Sequence, residues 1–396
     1  MKSTFSRAIH ARLFHVTNYL FVECFISEYN KYWVFTTYIR SGCLEKTGVA
    51  FITAILVSYF ITPWVMKLAK KVGAIDIPAD NRRVHINPMP RLGGLAIFAG
   101  FLAAAFVTLD FATIRNFAGI IGGATIVVIV GFYDDIKPIS AGKKLAFQII
   151  AAAMVVYGGG IVIKGFTNPL FFLMPDAKIY ISFGILAIPV TIFWIVGVTN
   201  AVNLIDGMDG LAAGISVISS VTLMIVAIIT ADGGSRSFVI ALSAGLAGAA
   251  IGFLPYNFNP AKIFMGDTGS MLLGFMLAVI SIMGAMKGAA TFSIAVPLLA
   301  VGVPIFDTLL AMIRRVINRK PVMEADKGHL HHRLMDKGFS HKQTVLSIYL
   351  ISIFLGLAAI ATVLFKLTTG VLIIGLVLLF ATIFTMQLGI LRRDEE

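Results

Sequence analysis

The sequence has 396 residues, of which 58% are hydrophobic and only 13% are charged, and its formal net charge is +12. Soluble domains carry about 25% charged residues, so this composition excludes a soluble globular protein and indicates a protein solvated by lipid. The two cysteines, Cys24 and Cys43, precede the first apolar segment. Their position excludes a disulfide framework or a thiolate metal site in the rest of the chain.

Eleven apolar segments follow one another along the chain, each near the roughly 20 residues that a transmembrane helix needs. Backbone groups in lipid must be satisfied internally, and the segments are apolar on all sides rather than alternating, so we predict helices and not barrel strands. The predicted spans are residues 49–66, 93–109, 118–132, 145–163, 180–199, 210–230, 237–253, 269–286, 291–313, 345–365 and 370–390. The predicted fold is all-α: a polytopic transmembrane helical bundle of about 11 helices.

The chain divides into one membrane domain and two short flanking parts. Residues 1–48 are an extension of unknown role, because they have neither the clean apolar run of a span nor that of a signal peptide. Residues 49–390 form the membrane domain, and residues 391–396 form a cytoplasmic tail.

The basic residues predict the orientation. If the chain enters its first span from outside, the inner connections and the tail contain 20 lysines and arginines and the outer connections contain 6, as the positive-inside rule requires. Topology accounts for most of these charges, so we expect no nucleic-acid partner. Most acidic residues and all histidines after residue 48 collect at the inner face, which predicts a cytoplasmic active site. A transporter places its ionisable groups near the midplane, and only Asp307 lies inside a span.

Five polar clusters lie where a predicted span meets the inner face. They are residues 81–85 with 90–94, residues 133–135 with Lys137, Lys143 and Lys144, residues 200–210, residues 257–260 with 264–270, and residues 329–334. Helices from distant parts of the chain pack side by side, so these ends can meet at one site.

The aspartates of these clusters favour a magnesium site. Asp134 and Asp135 are adjacent at the end of a span, where their charges oppose the helix macrodipole and each other unless a cation or a proton offsets them. Mg²⁺ prefers one or two carboxylates together with substrate phosphates. Asp267 can supply a further carboxylate, and Asp206 and Asp209 are spaced to share a helix face. A solvated helix end and helix capping are the simpler alternatives.

The histidines His329, His331 and His332 have the density of a zinc site, but three positions on one short segment do not obviously converge on one tetrahedral ion. Their neighbours Lys327 and Arg333 are basic, so phosphate binding is the better interpretation, with a solvated loop as the alternative. Acidic groups for magnesium beside cationic groups for phosphate are typical of phosphoryl transfer. The predicted substrates are a membrane lipid and a soluble nucleotide-type donor.

Five motifs in order make the chain resemble the polyprenyl-phosphate N-acetylhexosamine-1-phosphate transferases of the TagO/WecA type. They are PRLGG (90–94), YDD (133–135), NAVNLIDGMDGLA (200–212), NFNPAKIFMGDTGS (257–270) and HLHHRL (329–334). The resemblance covers roughly residues 49–390. It implies ten or eleven transmembrane helices with cytoplasmic catalytic loops in a bacterial plasma membrane. It also implies transfer of GlcNAc-1-phosphate from UDP-GlcNAc to undecaprenyl phosphate, with release of UMP, as the first membrane step of a surface glycan such as teichoic acid.

The resemblance further implies roles for single residues. Asp134 and Asp135 match a catalytic pair, one of which is credited with activating the lipid phosphate. Asp267 matches a catalytic magnesium ligand, Asp135 is the second predicted ligand, and Mn²⁺ is an alternative ion. The implied substrate-binding residues are Asn203, Asp206, Asp209, Asn257 and Phe264 near the nucleotide, Lys137 and Lys144 beside the active site, and His329, His331 and His332 at the pyrophosphate or sugar.

Three other functions were weighed against this one. Phospho-MurNAc-pentapeptide translocase has a different stretch at positions 89–94 and three consecutive histidines where Leu330 interrupts here, which favours an N-acetylhexosamine donor. A secondary transporter would need a polar path across the midplane. A CDP-alcohol phosphotransferase would need an Ala-Arg pair after Gly207, which the sequence lacks. The choice between GlcNAc and GalNAc, the identity of the base and the formation of a homodimer stay open.

Overall fold

The computed structural model describes residues 43–77, 88–108, 114–168, 180–231, 236–286, 295–319, 328–365 and 367–388. The cluster at 81–85, the tail at 391–396 and residues 1–42 of the predicted extension lie outside the described residues. Residues 43–48, which we assigned to the extension, instead form the start of the first helix.

The described residues are mostly helical. In chain order the elements are α1 (Cys43–Val72), β1 (Ile75–Asp76), β2 (Met89–Pro90), α2 (Gly93–Thr108), α3 (Ile114–Ile136), α4 (Ala141–Ala153) with a π-helical continuation (Met154–Gly158), β3 (Gly165–Thr167), β4 (Tyr180–Ser182), a 3₁₀ turn (Gly184–Leu186), α5 (Ala187–Ile205), α6 (Leu211–Ile229), α7 (Ser237–Asn257), α8 (Gly266–Met286), α9 (Ala295–Ala300), α10 (Gly302–Ile317), α11 (Leu330–Asp336), α12 (His341–Leu364) and α13 (Leu367–Leu388). Strands β1 and β2 form one antiparallel pair, and β3 and β4 form another.

Among the described residues, eight helices are long and apolar enough to cross a membrane. They lie in α1, α3, α5, α6, α7, α8, α12 and α13. This confirms the all-α polytopic membrane bundle, but not the count of eleven. Helix α2 is shorter, with 16 residues, and α4 runs for 13 residues before its π-helical turn.

The predicted span at 291–313 is interrupted where the structure describes it. Helix α9 ends at Ala300 and α10 begins at Gly302, with Val301 between them in a non-helical conformation. Pro304 lies in the first turn of α10, a position where its missing amide hydrogen is tolerated. The helix therefore restarts at Gly302 instead of continuing from α9.

Helix α8 is the centre of the bundle, because 89% of the residues in its most apolar stretch are buried. Helices α2, α3, α5 and α7 pack against it. A Cβ at Gly94 would lie 2.1 Å from the Gly269 nitrogen, and a Cβ at Gly131 would lie 2.5 Å from the Thr268 nitrogen. These glycines let α2 and α3 approach the backbone of the first turn of α8. The N-terminus of α8 is thereby placed among the polar ends of several helices.

Candidate active site

A pocket of about 610 Å³ lies at these helix ends. Its walls include four acidic side chains, those of Asp76, Asp206, Asp209 and Asp267, together with Arg91, Asn203, Asn257, Asn259, Phe264, Ser270, His332 and His341. The structure therefore brings together residues that are far apart in the sequence. Four of the five polar clusters contribute residues to its walls, and the cluster at 133–144 contacts one of these wall residues, Asp267, through Asp135 and Lys144.

Asp135, at the end of α3, is directed into the first turn of α8. Its Oδ1 accepts a hydrogen bond from the Asp267 amide at 2.9 Å, and its Oδ2 accepts from the amide and the hydroxyl of Thr268 at 3.0 and 2.6 Å. The first amides of a helix lack intrahelical partners and carry its positive dipole end, so a carboxylate stabilises them. Arg91 Nη2 lies 3.5 Å from Asp135 Oδ1. Asp135 thus joins α3 to α8, and its metal role remains a prediction.

Lys144 bridges two carboxylates from different helices. Its Nζ lies 2.7 Å from Asp134 Oδ2 and 2.6 Å from Asp267 Oδ2. Burial alone would lower the pKa of Lys144, but hydrogen bonds and charge from Asp134 and Asp267 outweigh it and raise the pKa above the usual lysine value. The ammonium is therefore charged at neutral pH. Asp134 and Asp267 form a pair that converges on one cation.

This pair suits a divalent metal. Mg²⁺ takes one or two protein carboxylates and completes its shell with water and substrate phosphates, and Asp134 and Asp267 already share a cation through one oxygen each. Within the described ranges, no three His, Cys, Asp or Glu side chains are arranged to hold an ion by themselves. A metal bound here would depend on substrate phosphates and water for its other ligands.

Asn203 fixes the second oxygen of Asp267. Its Nδ2 donates to Asp267 Oδ1 at 3.3 Å and to Ser270 Oγ at 2.8 Å. Both oxygens of Asp267 are therefore oriented, one by Asn203 and one by Lys144. Pre-orientation of this kind lowers the reorganisation that accompanies charge development in a reaction.

Asp206 ends α5 and lies in the pocket wall. Desolvation in the pocket wall, and then the negative charges of Asp267 and Asp135, raise the pKa of Asp206 to about 8. Its carboxyl group is therefore largely protonated at neutral pH in the protein without ligands. As a neutral group it can donate a hydrogen bond as well as accept one.

Two loops of the pocket are held together by side-chain hydrogen bonds. Asp209 Oδ2 accepts from Asn259 Nδ2 at 3.0 Å and from the Ala261 amide at 3.1 Å. Asn257 accepts from the Gly210 amide and donates to the Ile263 carbonyl, each at 3.1 Å. Asn257 and Asp209 thus line the pocket and also shape it.

The backbone of Phe264 makes two hydrogen bonds to the PRLGG stretch. Its amide donates to the Pro90 carbonyl at 2.9 Å, and its carbonyl accepts from the Gly93 amide at 3.0 Å. The PRLGG stretch therefore pairs with the segment that precedes α8. Phe264 lines the pocket, where its ring can offer a flat surface to a ligand.

The three predicted histidines do not share one position. His332 lines the pocket, whereas His329 and His331 are 6% and 3% exposed. Burial, and then the neighbouring His332, lower the pKa of His331 to about 4, so its ring is neutral at neutral pH. Its Nδ1 is buried without a hydrogen-bond partner.

One predicted site residue lies away from the pocket, and one residue that was not predicted lines it. Lys137, expected beside the active site, follows the end of α3, is exposed and is not one of the residues that line the pocket. Arg91 was not among the predicted site residues, yet it lines the pocket and lies 3.7 Å from Asp76 and 3.5 Å from Asp135. Its place in the PRLGG motif was the available signal.

A polytopic helical bundle with a polar pocket at its helix ends, a bridging lysine and a carboxylate pair is the arrangement expected of a membrane-embedded phosphotransferase. The sequence pattern of glycosyl transferase family 4 matches residues 117–285. That matched segment contains Asp134, Asp135, Lys144, Asp206 and Asp267, which are the centre of the site.

Individual relatives match most of the chain. The probable undecaprenyl-phosphate N-acetylglucosaminyl 1-phosphate transferase of Bacillus subtilis (strain 168) is 42% identical over 340 residues, which are 86% of this chain and 90% of the relative. The decaprenyl-phosphate N-acetylglucosaminephosphotransferase of Mycolicibacterium smegmatis is 34% identical over 375 residues, 89% of this chain and 91% of the relative. The phospho-N-acetylmuramoyl-pentapeptide-transferase of Borrelia hermsii is 28% identical over 346 residues, 80% of this chain and 95% of the relative.

The chain belongs to glycosyl transferase family 4, among the polyprenyl-phosphate N-acetylglucosamine-1-phosphate transferases. It is a multi-pass membrane enzyme of the phosphotransferase type.

Proposed function

We propose that the protein transfers GlcNAc-1-phosphate from UDP-GlcNAc to undecaprenyl phosphate and releases UMP. The observation that carries this proposal is the convergence of Asp134 and Asp267 on Lys144 at the edge of a pocket lined by Asn203, Asp206 and Phe264. The names of the relatives support the donor and the acceptor. The basic inner connections support a site at the cytoplasmic face of a bacterial plasma membrane.

In the proposed reaction, an oxygen of the lipid phosphate forms a bond to the sugar-bearing phosphorus of the donor. The bond from that phosphorus to the oxygen bridging to the uridine-bearing phosphate breaks, and this oxygen leaves with UMP. Phosphoryl transfer of this kind depends mostly on positioning and on neutralising charge. No covalent intermediate on the protein is needed.

Asp134 is the proposed base for the lipid phosphate. Its Oδ1 accepts from the Ile139 amide at 2.8 Å and its Oδ2 from the Lys144 ammonium at 2.7 Å, whereas the oxygens of Asp135 are bound to the first turn of α8. Asp134 is the member of the pair that shares Lys144 with Asp267, and we propose that it takes the proton as the lipid phosphate attacks. Lys144 provides positive charge for the phosphates, and Asn203 holds Asp267 in place.

Mg²⁺, with Mn²⁺ as an alternative, is the proposed cofactor, and Asp267 would hold it during turnover, when Asp134 acts as the base. When bound, the ion supplies charge neutralisation for the diphosphate and for the leaving UMP. The recessed wall at Phe264 and Asp209 is the proposed place for the nucleoside.

The experiment that tests the function is a donor panel with purified protein in detergent and magnesium. UDP-GlcNAc, UDP-GalNAc and UDP-MurNAc-pentapeptide are each offered with undecaprenyl phosphate or decaprenyl phosphate, and UMP release and the lipid product are followed. We expect UMP release with UDP-GlcNAc and little with the other donors. Turnover with the pentapeptide donor alone would instead identify a peptidoglycan enzyme, and no lipid product with any donor would refute the proposal.

The product of this reaction is a lipid-linked sugar diphosphate. We propose that it is the first membrane intermediate of a surface glycan such as teichoic acid. Loss of lipid-linked GlcNAc and of its polymer in cells depleted of the protein would support this, and an unchanged polymer would contradict it.

A further inference from the structure

The proposed reaction makes no use of Asp307, a buried carboxylate on α10. Asp307 is 7% exposed, and ionisable groups inside membrane proteins are costly unless they are paired. Its Oδ2 lies 2.8 Å from His329 Nδ1, and its Oδ1 accepts a hydrogen bond from the Leu330 amide at 2.8 Å. Both oxygens therefore contact the histidine segment, which is defined as residues 328–332.

Arg314, two turns further along α10, holds the same segment. Its Nη1 donates to the Gly328 carbonyl at 2.8 Å. A Cβ at Gly328 would lie 2.2 Å from Arg314 Cζ, so the backbone runs directly against the guanidinium group. Other residues of α10, namely Leu309, Ile313 and Val316, are apolar and exposed. One face of the helix is suited to lipid, and the other binds the histidine segment.

A chain of ring contacts leads from Asp307 to the pocket. The rings of His329 and His331 stack at 5.9 Å with an interplanar angle of 5°, and those of His331 and His332 lie 4.2 Å apart. A Cβ at Gly207 would lie 2.9 Å from His331 Nε2, so this ring packs on the loop that carries Asp206. His332 lines the pocket. The three rings therefore form a continuous row of contacts from Asp307 to the pocket.

We propose that Asp307 is a positioning residue of the transferase that acts through His329, and this rests on the function proposed above. An ionised carboxylate only accepts hydrogen bonds, so His329 must donate from Nδ1. A carboxylate behind a histidine fixes the orientation and the tautomer of its ring. Asp307 keeps the proton on Nδ1, holds the ring stack in register and thereby holds His332 at the pocket without touching the substrate.

The test begins with Asp307→Asn, which preserves size and can still accept from the Leu330 amide. Its side-chain amide would donate to His329 Nδ1 and move the ring proton to Nε2. We expect kcat to fall about 10- to 100-fold, the range seen when a residue that orients another group is lost, with a small change in the donor KM. The control is Thr308→Val on the same helix, because the Thr308 hydroxyl is buried without a hydrogen-bond partner. We expect wild-type kcat in that variant.

A double-mutant cycle with His329→Gln asks whether Asp307 acts through His329. Effects of residues that work as one unit are not additive. We expect the double variant to lose no more kcat than the more damaged single variant. Multiplied losses, or an Asp307→Asn variant no slower than Thr308→Val, would overturn the proposal.

Nitrogen-15 NMR of histidine-labelled protein gives a readout that does not depend on turnover. The His329 signal is identified by its loss in His329→Gln. We expect a protonated Nδ1 in the wild type and a protonated Nε2 with a bare Nδ1 in Asp307→Asn. A bare Nδ1 in the wild type would overturn the positioning role. If the protein makes no lipid-linked sugar, the proposed function fails, while the NMR result still decides the role of Asp307.

Discussion

Asp135 caps helix α8 through Thr268: its Oδ2 accepts both the amide and the hydroxyl of that residue, at 3.0 and 2.6 Å. Asp134, its neighbour in sequence, instead lies beside Lys144. The adjacent aspartates are both buried but have different partners, the first turn of α8 for Asp135 and the Lys144 ammonium for Asp134.

This difference predicts distinct effects of the two substitutions to asparagine. Asp135→Asn loses the charge at the helix N-terminus and one of the accepting oxygens, so we expect a loss of stability of about 1–2 kcal/mol together with lower turnover. Asp134→Asn should lose turnover by orders of magnitude with a smaller change in stability. Thermal unfolding in detergent and UMP release measure the two quantities. Equal melting temperatures for the two variants would contradict the capping role.

Lys144→Met removes the cation between Asp134 and Asp267. We expect turnover to fall about 100-fold or more, since a group aimed at developing charge is lost. We also expect tighter binding of Mn²⁺ in the absence of substrate, because the ion no longer competes with the ammonium for the two carboxylates. Electron paramagnetic resonance of free Mn²⁺ measures that affinity. Lys137→Met, which removes an exposed lysine, is the control, and weaker Mn²⁺ binding in Lys144→Met would contradict the competition.

Gly266→Ala should destabilise the protein. Gly266 has φ +68°, and a Cβ there would lie 2.3 Å from Asp135 Oδ2. The left-handed conformation alone costs a non-glycine residue about 1–2 kcal/mol, and the clash adds to it. Gly142→Ala on α4 is the matched control, since a Cβ there meets nothing within 4 Å, and alanine favours a helix. Thermal unfolding should show a lower melting temperature only for Gly266→Ala.

Asp206 predicts a pH dependence of stability in the metal-free protein. The folded protein holds this proton up to a pKa of about 8, whereas the unfolded chain releases it near 3.8. The unfolded state binds fewer protons between these values, so stability falls as pH rises from about 4 to about 8 and then levels off. Asp206→Asn cannot ionise and should escape this loss.

The measurement compares melting temperatures of wild type and Asp206→Asn with a chelator present. We expect the variant to melt higher than the wild type at about pH 8.5 and by a smaller margin at about pH 5. A margin that is the same at both pH values would show that the Asp206 pKa is not raised.

The motifs named many of the residues that meet at the pocket, because phosphoryl transfer requires a small set of side-chain types. Carboxylates at the ends of apolar segments, such as Asp134 and Asp267, are costly in lipid and therefore predicted a cation site. The sequence does not single out Arg91 as a site residue, because the positive-inside rule alone also explains an arginine in an inner connection. Its contact with Asp135 depends on the pairing of residues 90–94 with the segment before α8.

Periodicity and length could not define every span. A continuous apolar run at 291–313 does not reveal that the helix restarts at Gly302, because the break depends on local backbone conformation around Val301. Within α10, the exposed residues Leu309, Ile313 and Val316 are apolar, whereas Asp307 and Arg314 are buried. In the sequence Asp307 is an isolated charge inside a predicted span, whereas in the structure its carboxylate contacts His329.

The sequence by itself determined that this chain is a helical membrane protein and which residue types cluster at the ends of its apolar segments, because burial in lipid constrains every position of a span. Only the tertiary structure decided which oxygen meets which donor: Asp135 on the first turn of α8, Asp134 and Asp267 on Lys144, Asp307 on His329. Those contacts join residues up to 133 positions apart. Their distances depend on how closely glycine-bearing helices pack, and no local pattern encodes that.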